Sequence, residues 1–154
     1  MAESELFKTA LLKAMALCSR REYCSEDIRA KLNSQGIGEN DTEKIISALV
    51  NENFINEKRY SEAFVKDRFR YNKWGKVKIR ASLRLKKIPA EIINSALNSI
   101  DNDLYKKTLE EMLNIHRRSV KAKNQYDLKG KLLRYGLSKG FESELLYDLL
   151  SDFD

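Results

Sequence analysis

The chain has 154 residues and carries 29 Lys and Arg side chains against 23 Asp and Glu, a formal charge of +6. Its 42% hydrophobic content supplies enough apolar surface for a core, which excludes global disorder, and its length fits one domain or a few small modules. One Pro and six Gly are too few turn signals for an all-β sandwich, and a single His excludes a zinc site built from several histidines.

The first residues and the two cysteines indicate the compartment. Cys18 and Cys24 are six positions apart, which is not the spacing of a metal or redox motif, so we expect free thiols in a reducing cytosol. No basic leader with a long apolar run opens the chain, and the longest apolar run, 14–18, is too short to cross a bilayer. The sequence therefore predicts a soluble, cytoplasmic protein with no membrane partner.

Apolar residues recur at helical spacing along almost the whole chain, and they predict an all-α fold of about nine helices without a strand. The first helix carries Phe7, Ala10 and Ala14 on one face. The later helices are expected to begin at or next to Ser25, Asp41 or Thr42, Asn56, Lys76, Pro89, Asp101 or Asp103, the region before Leu128, and Ser143. Gly36 is expected to end the second helix, and the eighth is expected to end near Gly136.

One pattern recurs three times along the chain, at offsets of 51 and 49 residues. Its copies are Ile28, Leu32 and Gly36-Ile37, then Ile79, Leu83 and Lys87-Ile88, then Leu128, Leu132 and Gly136-Leu137. Leu32, Leu83 and Leu132 are therefore expected to be equivalent and buried. An apolar triplet follows the first and third copies at equal distances and the middle copy about four residues sooner.

This recurrence predicts three tandem three-helix repeats, 1–52, 53–100 and 101–154. A unit of about 50 residues buries too little surface alone, so the three are expected to share a core as an elongated, curved monomer. That shape suits a long ligand better than a small one. The alternative is that any helical protein yields such coincidences.

Residues 66–87 hold ten basic side chains and one acidic, a local net charge of +9. Lys76, Arg80 and Arg84 fall four apart and form one ridge, which we expect to be open because apolar stripes on both sides wedge the helix between neighbours. The candidate residues for contact with DNA or a filament are Arg68, Arg70, Lys73, Lys76, Lys78, Arg80, Arg84, Lys86 and Lys87. A plain solvated face is the alternative.

A second basic region spans residues 106–134, with a net charge of +6. Its candidates are Arg117, Arg118, Lys121, Lys123, Lys129, Lys131 and Arg134. Tyr71 and Trp74 are interleaved with the first region and could stack on bases, but packing is favoured for Trp74 because Gly75 marks a turn beside it.

Catalytic chemistry has little support in the sequence. The carboxylates are scattered without a metal-ligand pattern, and no phosphate-binding glycine loop is present. His116 falls at an apolar helical spacing, which favours packing over a role as a base. We therefore expect no enzyme, no catalytic residues, no metal and no cofactor.

The order and spacing of several motifs resemble the RecX regulatory protein family, most strongly from Arg20 to Leu97. The motifs are Arg20-Arg21-Glu22-Tyr23-Cys24-Ser25, Ile28-Arg29 with Lys31-Leu32, Phe54-Ile55-Asn56-Glu57-Lys58-Arg59-Tyr60 with Ala63-Phe64, and Lys73-Trp74-Gly75 with Lys78-Ile79-Arg80 and Leu83. The resemblance implies tandem three-helix repeats and a cytoplasmic bacterial modulator of the RecA recombinase in DNA repair and the SOS response. Family members bind along the groove of the RecA filament, typically inhibit it, and also bind single- and double-stranded DNA.

Three positions depart from the family pattern. Asn56-Glu57 stands where the family has two Asp, which alters any acidic contact there. Lys87 replaces a Gly at a helix stop, at a cost on the order of 1 kcal/mol if it is left-handed. Ser82 replaces a Glu and makes the ridge less acidic.

Two other functions stay open on the sequence alone. A basic DNA-binding or architectural protein without a recombinase partner would bind naked DNA equally well. A metal-dependent nuclease would cleave DNA only with a divalent cation.

Overall fold

The computed structural model describes residues 4–153, and over that range it contains nine α-helices and no strand. The helices are α1 (Glu5–Arg20), α2 (Ser25–Ser34), α3 (Glu39–Asn51), α4 (Glu57–Arg70), α5 (Lys76–Leu85), α6 (Ala90–Asn98), α7 (Asn102–Arg117), α8 (Gln125–Ser138) and α9 (Ser143–Ser151). The all-α prediction with nine helices is confirmed.

Extensive helix packing is confined to three successive groups. We name them the first unit (α1 to α3), the second unit (α4 to α6) and the third unit (α7 to α9). Within each unit, the last helix packs on one or both of the others. The predicted grouping of the helices in threes is therefore seen in the packing.

Several helices begin where a polar side chain caps the first turn. Asn56 accepts the N–H of Arg59 at 2.9 Å, and Asp101 accepts the N–H of Leu104 at 2.8 Å, so both predicted caps are confirmed. Asn124 caps α8 in the same way.

Other predicted starts are displaced by one to three residues. Ser25 and Ser143 are first helical residues rather than caps, Pro89 is a cap rather than a first residue, and α3 begins at Glu39 after Gly38. The N–H of Ser25 has a partner outside its own unit, since it donates to Glu57 Oε1 at 3.1 Å. A cap supplied from 32 residues away leaves no local sequence signal.

A residue in the left-handed conformation follows the second helix of every unit. The φ angles are 78° at Gly36, 59° at Lys87 and 92° at Gly140. The residue after it donates its N–H to the carbonyl five positions earlier, at 3.1 to 3.2 Å, in the pairs Ile37 to Leu32, Ile88 to Leu83 and Phe141 to Gly136. This bond defines a Schellman turn, so the three stops are structurally equivalent.

The eighth helix therefore ends one helical turn later than predicted. Gly136 lies inside α8, and the stop is Gly140. In the observed register, Gly136 occupies the position of Leu32 and Leu83, because each of the three lies four residues before the stop and accepts the Schellman bond. A Cβ on Gly136 would lie 2.3 Å from a methyl carbon of Leu146. The predicted equivalence of Leu132 was wrong, although its side chain is fully buried.

In the observed register, the apolar triplet of the middle copy no longer comes about four residues sooner than in the other two copies. The third helix of each unit begins three residues after the stop. The residues at six, nine and ten positions after each stop are all buried: Thr42, Ile45 and Ile46, then Ile93, Ala96 and Leu97, then Leu146, Leu149 and Leu150. The three units are more regular in structure than their sequences suggest.

The second and third units meet through a backbone contact between two glycines. The N–H of Gly75 donates to the carbonyl of Lys139 at 2.8 Å, and the N–H of Val77 donates to the carbonyl of Gly140 at 2.9 Å. A Cβ on Gly75 would lie 2.3 Å from Gly140 O, and a Cβ on Gly140 would lie 2.2 Å from Lys78 Cβ. Only glycine allows the start of α5 to approach the end of α8 this closely.

Tyr105 of α7 adds side-chain hydrogen bonds to this contact between the second and third units. Its hydroxyl accepts the N–H of Lys76 at 2.9 Å and donates to the Glu142 carboxylate at the start of α9. Its ring packs on Phe69 and Phe141, with centroids 5.6 and 5.1 Å away. Burial, followed by the bond to Glu142, raises the pKa of Tyr105, so the hydroxyl keeps its proton.

The first and second units also meet at the end of one second helix and the start of another, and here the contact is made by ion pairs. Lys86 Nζ lies 2.6 Å from Asp27 Oδ1, and Lys87 Nζ lies 3.9 Å from Glu26 Oε2. Arg59 pairs with Glu22 at 2.6 Å. The end of α5 therefore contacts the start of α2, as the end of α8 contacts the start of α5.

The buried side chains form two clusters rather than one shared core. One cluster belongs to the first unit and ends with Ile55. The other is continuous through the second and third units and also takes in Cys24. Burial raises the pKa of the Cys24 thiol to about 11, so it is an inert part of that core.

The accessible surface of 9899 Å² exceeds the roughly 8,000 Å² expected of a compact monomer of this mass. Two separate cores joined by narrow contacts explain the excess. The surface area therefore supports the predicted elongated shape.

We predict that Gly75→Ala lowers the free energy of unfolding by about 1–3 kcal/mol, because the added methyl group collides with the backbone of Gly140. Gly38→Ala is the matched control, since Gly38 is also an N-cap glycine without a capping side chain and has open space around its Cα. Urea unfolding measures both. Equal stability of the two variants would contradict the close approach.

A second prediction concerns the pH dependence of the contact between the first two units. Burial raises the pKa of Asp27, but hydrogen bonds with Lys86 and Cys24 outweigh it, and the pKa lies below its ordinary value. The carboxylate therefore stabilises the fold fully above the unfolded pKa of about 3.9, and this contribution is lost as the pH falls through the folded pKa.

Asp27→Asn should accordingly lower the free energy of unfolding by up to about 1 kcal/mol at neutral pH. The difference from wild type should close as the pH drops below about 4. Glu57→Gln is the control, because burial raises the pKa of Glu57 and its ionised form is not stabilising. A difference for Asp27→Asn that stays constant down to about pH 3 would refute the assignment.

Candidate nucleic-acid interface

Helix α5 carries the predicted basic ridge on its outer side. Ile79 and Leu83 are fully buried and anchor the helix in the core of the second unit. Positions 76, 80 and 84 form one row along α5 that runs beside the row of Ile79 and Leu83, so Lys76 and Arg80 are half-buried and Arg84 is exposed.

The three ridge cations differ in how freely they can meet a ligand. Lys76 Nζ lies 4.8 Å from the centroid of the Tyr105 ring, so Lys76 belongs partly to the contact between units. Arg80 is half-buried and donates to the side-chain oxygen of Asn94. Arg84 is exposed, and within residues 4–153 its side chain has no hydrogen bond or ion pair. The accessible charge is thus concentrated toward the C-terminal end of α5.

The prediction that both flanks of the ridge are buried was wrong. Val77, Ala81 and Leu85, four apart, form a stripe on the outer side, and Val77 is 53% and Leu85 82% exposed. The helix packs on α4 and α6, and its buried residues Ile79 and Leu83 lie on the opposite face, which leaves the side chains of this stripe exposed. The outer face of α5 therefore joins a basic ridge to an apolar stripe.

The side chains of Arg68 and Lys78 pack against the aromatic rings of Phe64 and Trp74. Arg68 Cζ lies 5.0 Å from the Phe64 ring and 5.4 Å from the Trp74 ring, and Lys78 Nζ lies 4.6 Å from Trp74. Phe64 and Trp74 meet edge to face at 6.5 Å. Packing of Trp74 is confirmed, and these two cations hold the turn between α4 and α5 in shape.

Arg70 and Lys73 are exposed at the rim of a groove of about 640 Å³ between α4 and α7. Val65, Phe69 and Leu104 line its apolar interior. Lys73 has φ 56°, so a basic side chain stands at a left-handed position that glycine would occupy without strain.

Lys86 is a contact residue between units, whereas the side chain of Lys87 is 78% exposed and its charge stays accessible. Their partners are Asp27 and Glu26 on α2. Lys87 keeps the left-handed conformation of the helix stop despite its side chain. The two lysines follow the ridge directly in the sequence, and the acidic residues that they approach lie about 60 residues away, so local sequence gives no sign of this contact.

The second basic region is also divided. Arg117 lies over the Phe153 ring at 5.1 Å, and Lys131 binds Asp127 at 3.2 Å. The exposed members are Arg118, Lys121, Lys123 and Arg134, with Lys129 half-buried. The loop from α7 to α8 and the outer side of α8 therefore carry the accessible part of its charge.

Other candidate chemistry can be located in the same way. The His116 ring stacks on Tyr135 with centroids 3.8 Å apart, which confirms its packing role.

Within residues 4–153, no group of three His, Cys, Asp or Glu side chains could hold a metal ion. Among the nine helices described, none combines the length and apolar character needed to cross a membrane.

Comparison with known proteins identifies the family. The family model described as "RecX, second three-helix domain" matches residues 56–97. The regulatory protein RecX of Clostridium beijerinckii is 31% identical over 94% of this chain and 68% of its own length. That of Mannheimia succiniciproducens is 32% identical over 90% of each chain.

Solved structures show the same fold. A crystal structure of regulatory protein RecX matches with a TM-score of 0.86 at 21% identity, over 96% of this chain and 72% of the other. RecX from Lactobacillus salivarius matches with a TM-score of 0.81 at 22% identity, over 97% of both. Motif order, helical architecture and sequence identity agree, and the chain belongs to the RecX family of regulatory proteins.

Proposed function

We propose that this protein is a non-enzymatic, cytoplasmic regulator that lies along the RecA filament on single-stranded DNA and inhibits recombinase activity. The observation that carries the proposal is the outer face of α5. There Arg80 and Arg84 stand beside the exposed stripe of Val77, Ala81 and Leu85.

A mixed face of this kind fits a nucleoprotein surface better than bare DNA. Arginine side chains release counterions from phosphates and supply affinity that depends on salt. Exposed Val and Leu side chains gain nothing from phosphates, but they contribute when a protein surface covers them. The outer face of α5 would therefore bind the filament at a place where its arginines contact DNA phosphates and its apolar stripe contacts the recombinase.

The repeated architecture agrees with this role. We propose three units with the boundaries 1–52, 53–100 and 101–154, arranged in an elongated monomer. Each unit presents the outer side of its second helix in an equivalent position, since the units share one register. A regulator built in this way can contact successive positions along a regular filament.

The second candidate function is DNA binding without a recombinase. The exposed cations of the loop from α7 to α8 favour it, because they need no apolar partner surface. The two functions differ in what the apolar stripe on α5 contributes.

We predict that the double change Arg80→Glu and Arg84→Glu strongly weakens inhibition of RecA ATPase on single-stranded DNA, because it puts acidic groups where phosphates would lie. The salt dependence of DNA affinity should also fall, by a slope of about 0.7 per lost contact. Lys106→Glu with Lys107→Glu is the matched control, since both residues are exposed on α7. Wild-type inhibition by a folded Arg80/Arg84 variant would remove α5 from the mechanism.

A further prediction separates the two functions. Val77→Ser with Leu85→Ser should leave the fold and the binding of naked DNA intact, because both side chains are exposed. Inhibition of the recombinase should fall, since the stripe no longer packs against protein. Retention of full inhibition by this variant would favour DNA binding without a recombinase partner.

A further inference from the structure

An open groove of about 500 Å³ runs between α8 and α9, and no residue of α5 lines it. Leu133 and Leu150 form its apolar floor, and two tyrosines stand at its sides. Tyr126 is 90% exposed and Tyr147 is 61% exposed. Two exposed rings and an apolar floor in one groove form a contiguous apolar patch, and such patches mark interaction sites.

The two rings are free to accept a partner. Tyr60, Tyr105 and Tyr135 each pack against another ring within the described part of the chain. The side chains of Tyr126 and Tyr147 make no ring contact and no hydrogen bond with any residue between 4 and 153. Both rings line the same groove, so one ligand can reach both.

Gly130 lies between Tyr126 and Arg134 on the wall of this groove. Glycine inside a helix costs about 1 kcal/mol relative to alanine. The packing of the chain does not require it, since a Cβ there would meet only Arg134 Nη1, at an ordinary 3.7 Å. The missing side chain keeps the groove open at its centre, which is where a flat ligand would enter.

The charged side chains that line the groove are two cations and one carboxylate. Lys129 and Arg134 line it beside the tyrosines. The acidic group in the lining, Asp127, is bound by Lys131 at 3.2 Å and by the N–H of Lys123 at 3.1 Å, so its charge is offset. Open aromatic rings beside cations are the combination by which proteins hold single strands, with bases on the rings and phosphates on the cations.

We propose that the α8–α9 groove binds single-stranded nucleic acid, with bases stacked on Tyr126 and Tyr147 and phosphates held by Lys129 and Arg134. The inference rests on the proposed function for the choice of DNA over RNA, and it adds a second contact beyond α5. With the α8–α9 groove on the DNA strand and the outer face of α5 on the filament, the regulator would bind both the strand and the recombinase.

The first experiment asks whether bases matter, without RecA present. Fluorescence anisotropy compares an oligodeoxyadenylate of about 20 nucleotides with an abasic strand of equal length at one salt concentration. Stacking predicts weaker binding of the abasic strand, on the order of tenfold, although its phosphates are the same. Equal affinities, or no measurable binding of either strand, would overturn the proposal.

The second experiment fills the groove without removing any aromatic ring or cation. Gly130→Leu should reduce affinity for the oligodeoxyadenylate to that for the abasic strand, and since leucine is the better helix former the fold should be retained. Ser138→Leu is the matched control, because Ser138 is exposed on α8 and does not line the groove. Unchanged binding by a folded Gly130→Leu variant would overturn the proposal.

A third measurement locates the contact directly. Oligonucleotides that carry 5-iododeoxyuridine form photo-crosslinks with stacked aromatic side chains, and mass spectrometry should place these on Tyr126 or Tyr147. Crosslinks confined to other residues would overturn the groove assignment. Because no recombinase is used, failure here leaves the α5 tests unaffected, and failure of inhibition leaves these results standing.

Discussion

The structure depends on one recurring contact, in which the next unit satisfies the exposed backbone at the start of a second helix. At α5 the contact is made by the carbonyl groups of Lys139 and Gly140 and the hydroxyl of Tyr105. At α2 it is made by Glu57, with Lys86 and Lys87 close by. Helix N-termini carry unpaired N–H groups, so this contact supplies hydrogen bonds as well as position.

This contact explains which cations remain available for a ligand. Lys76 and Lys86 lie at the two ends of α5, where neighbouring units approach, and their side chains take part in those contacts. Arg80 is half-buried in the middle of α5, and Arg84 is exposed near its C-terminal end. A charge run that looks uniform in the sequence is therefore divided into structural and accessible parts by the geometry of the repeat.

The helical content, the grouping in threes and the anchors Ile79 and Leu83 follow from local periodicity, which the sequence displays directly. The register of the third unit does not follow from local periodicity. Gly136 has the sequence pattern of a helix stop, but it lies inside α8, where its missing side chain leaves space for Leu146. The pairing of Lys86 with Asp27 and the exposure of Leu85 depend on how units dock, and single-residue patterns carry no signal for that.

We propose that the outer face of α5 lies against the recombinase filament. The most direct test places a photo-crosslinking amino acid at position 85, which is 82% exposed, and irradiates the protein bound to RecA on single-stranded DNA. A crosslink to RecA is expected from position 85 and none from the same probe at Val50, which is exposed in the first unit at the end of α3. Full inhibition by the position-85 variant without any crosslink to RecA would contradict it.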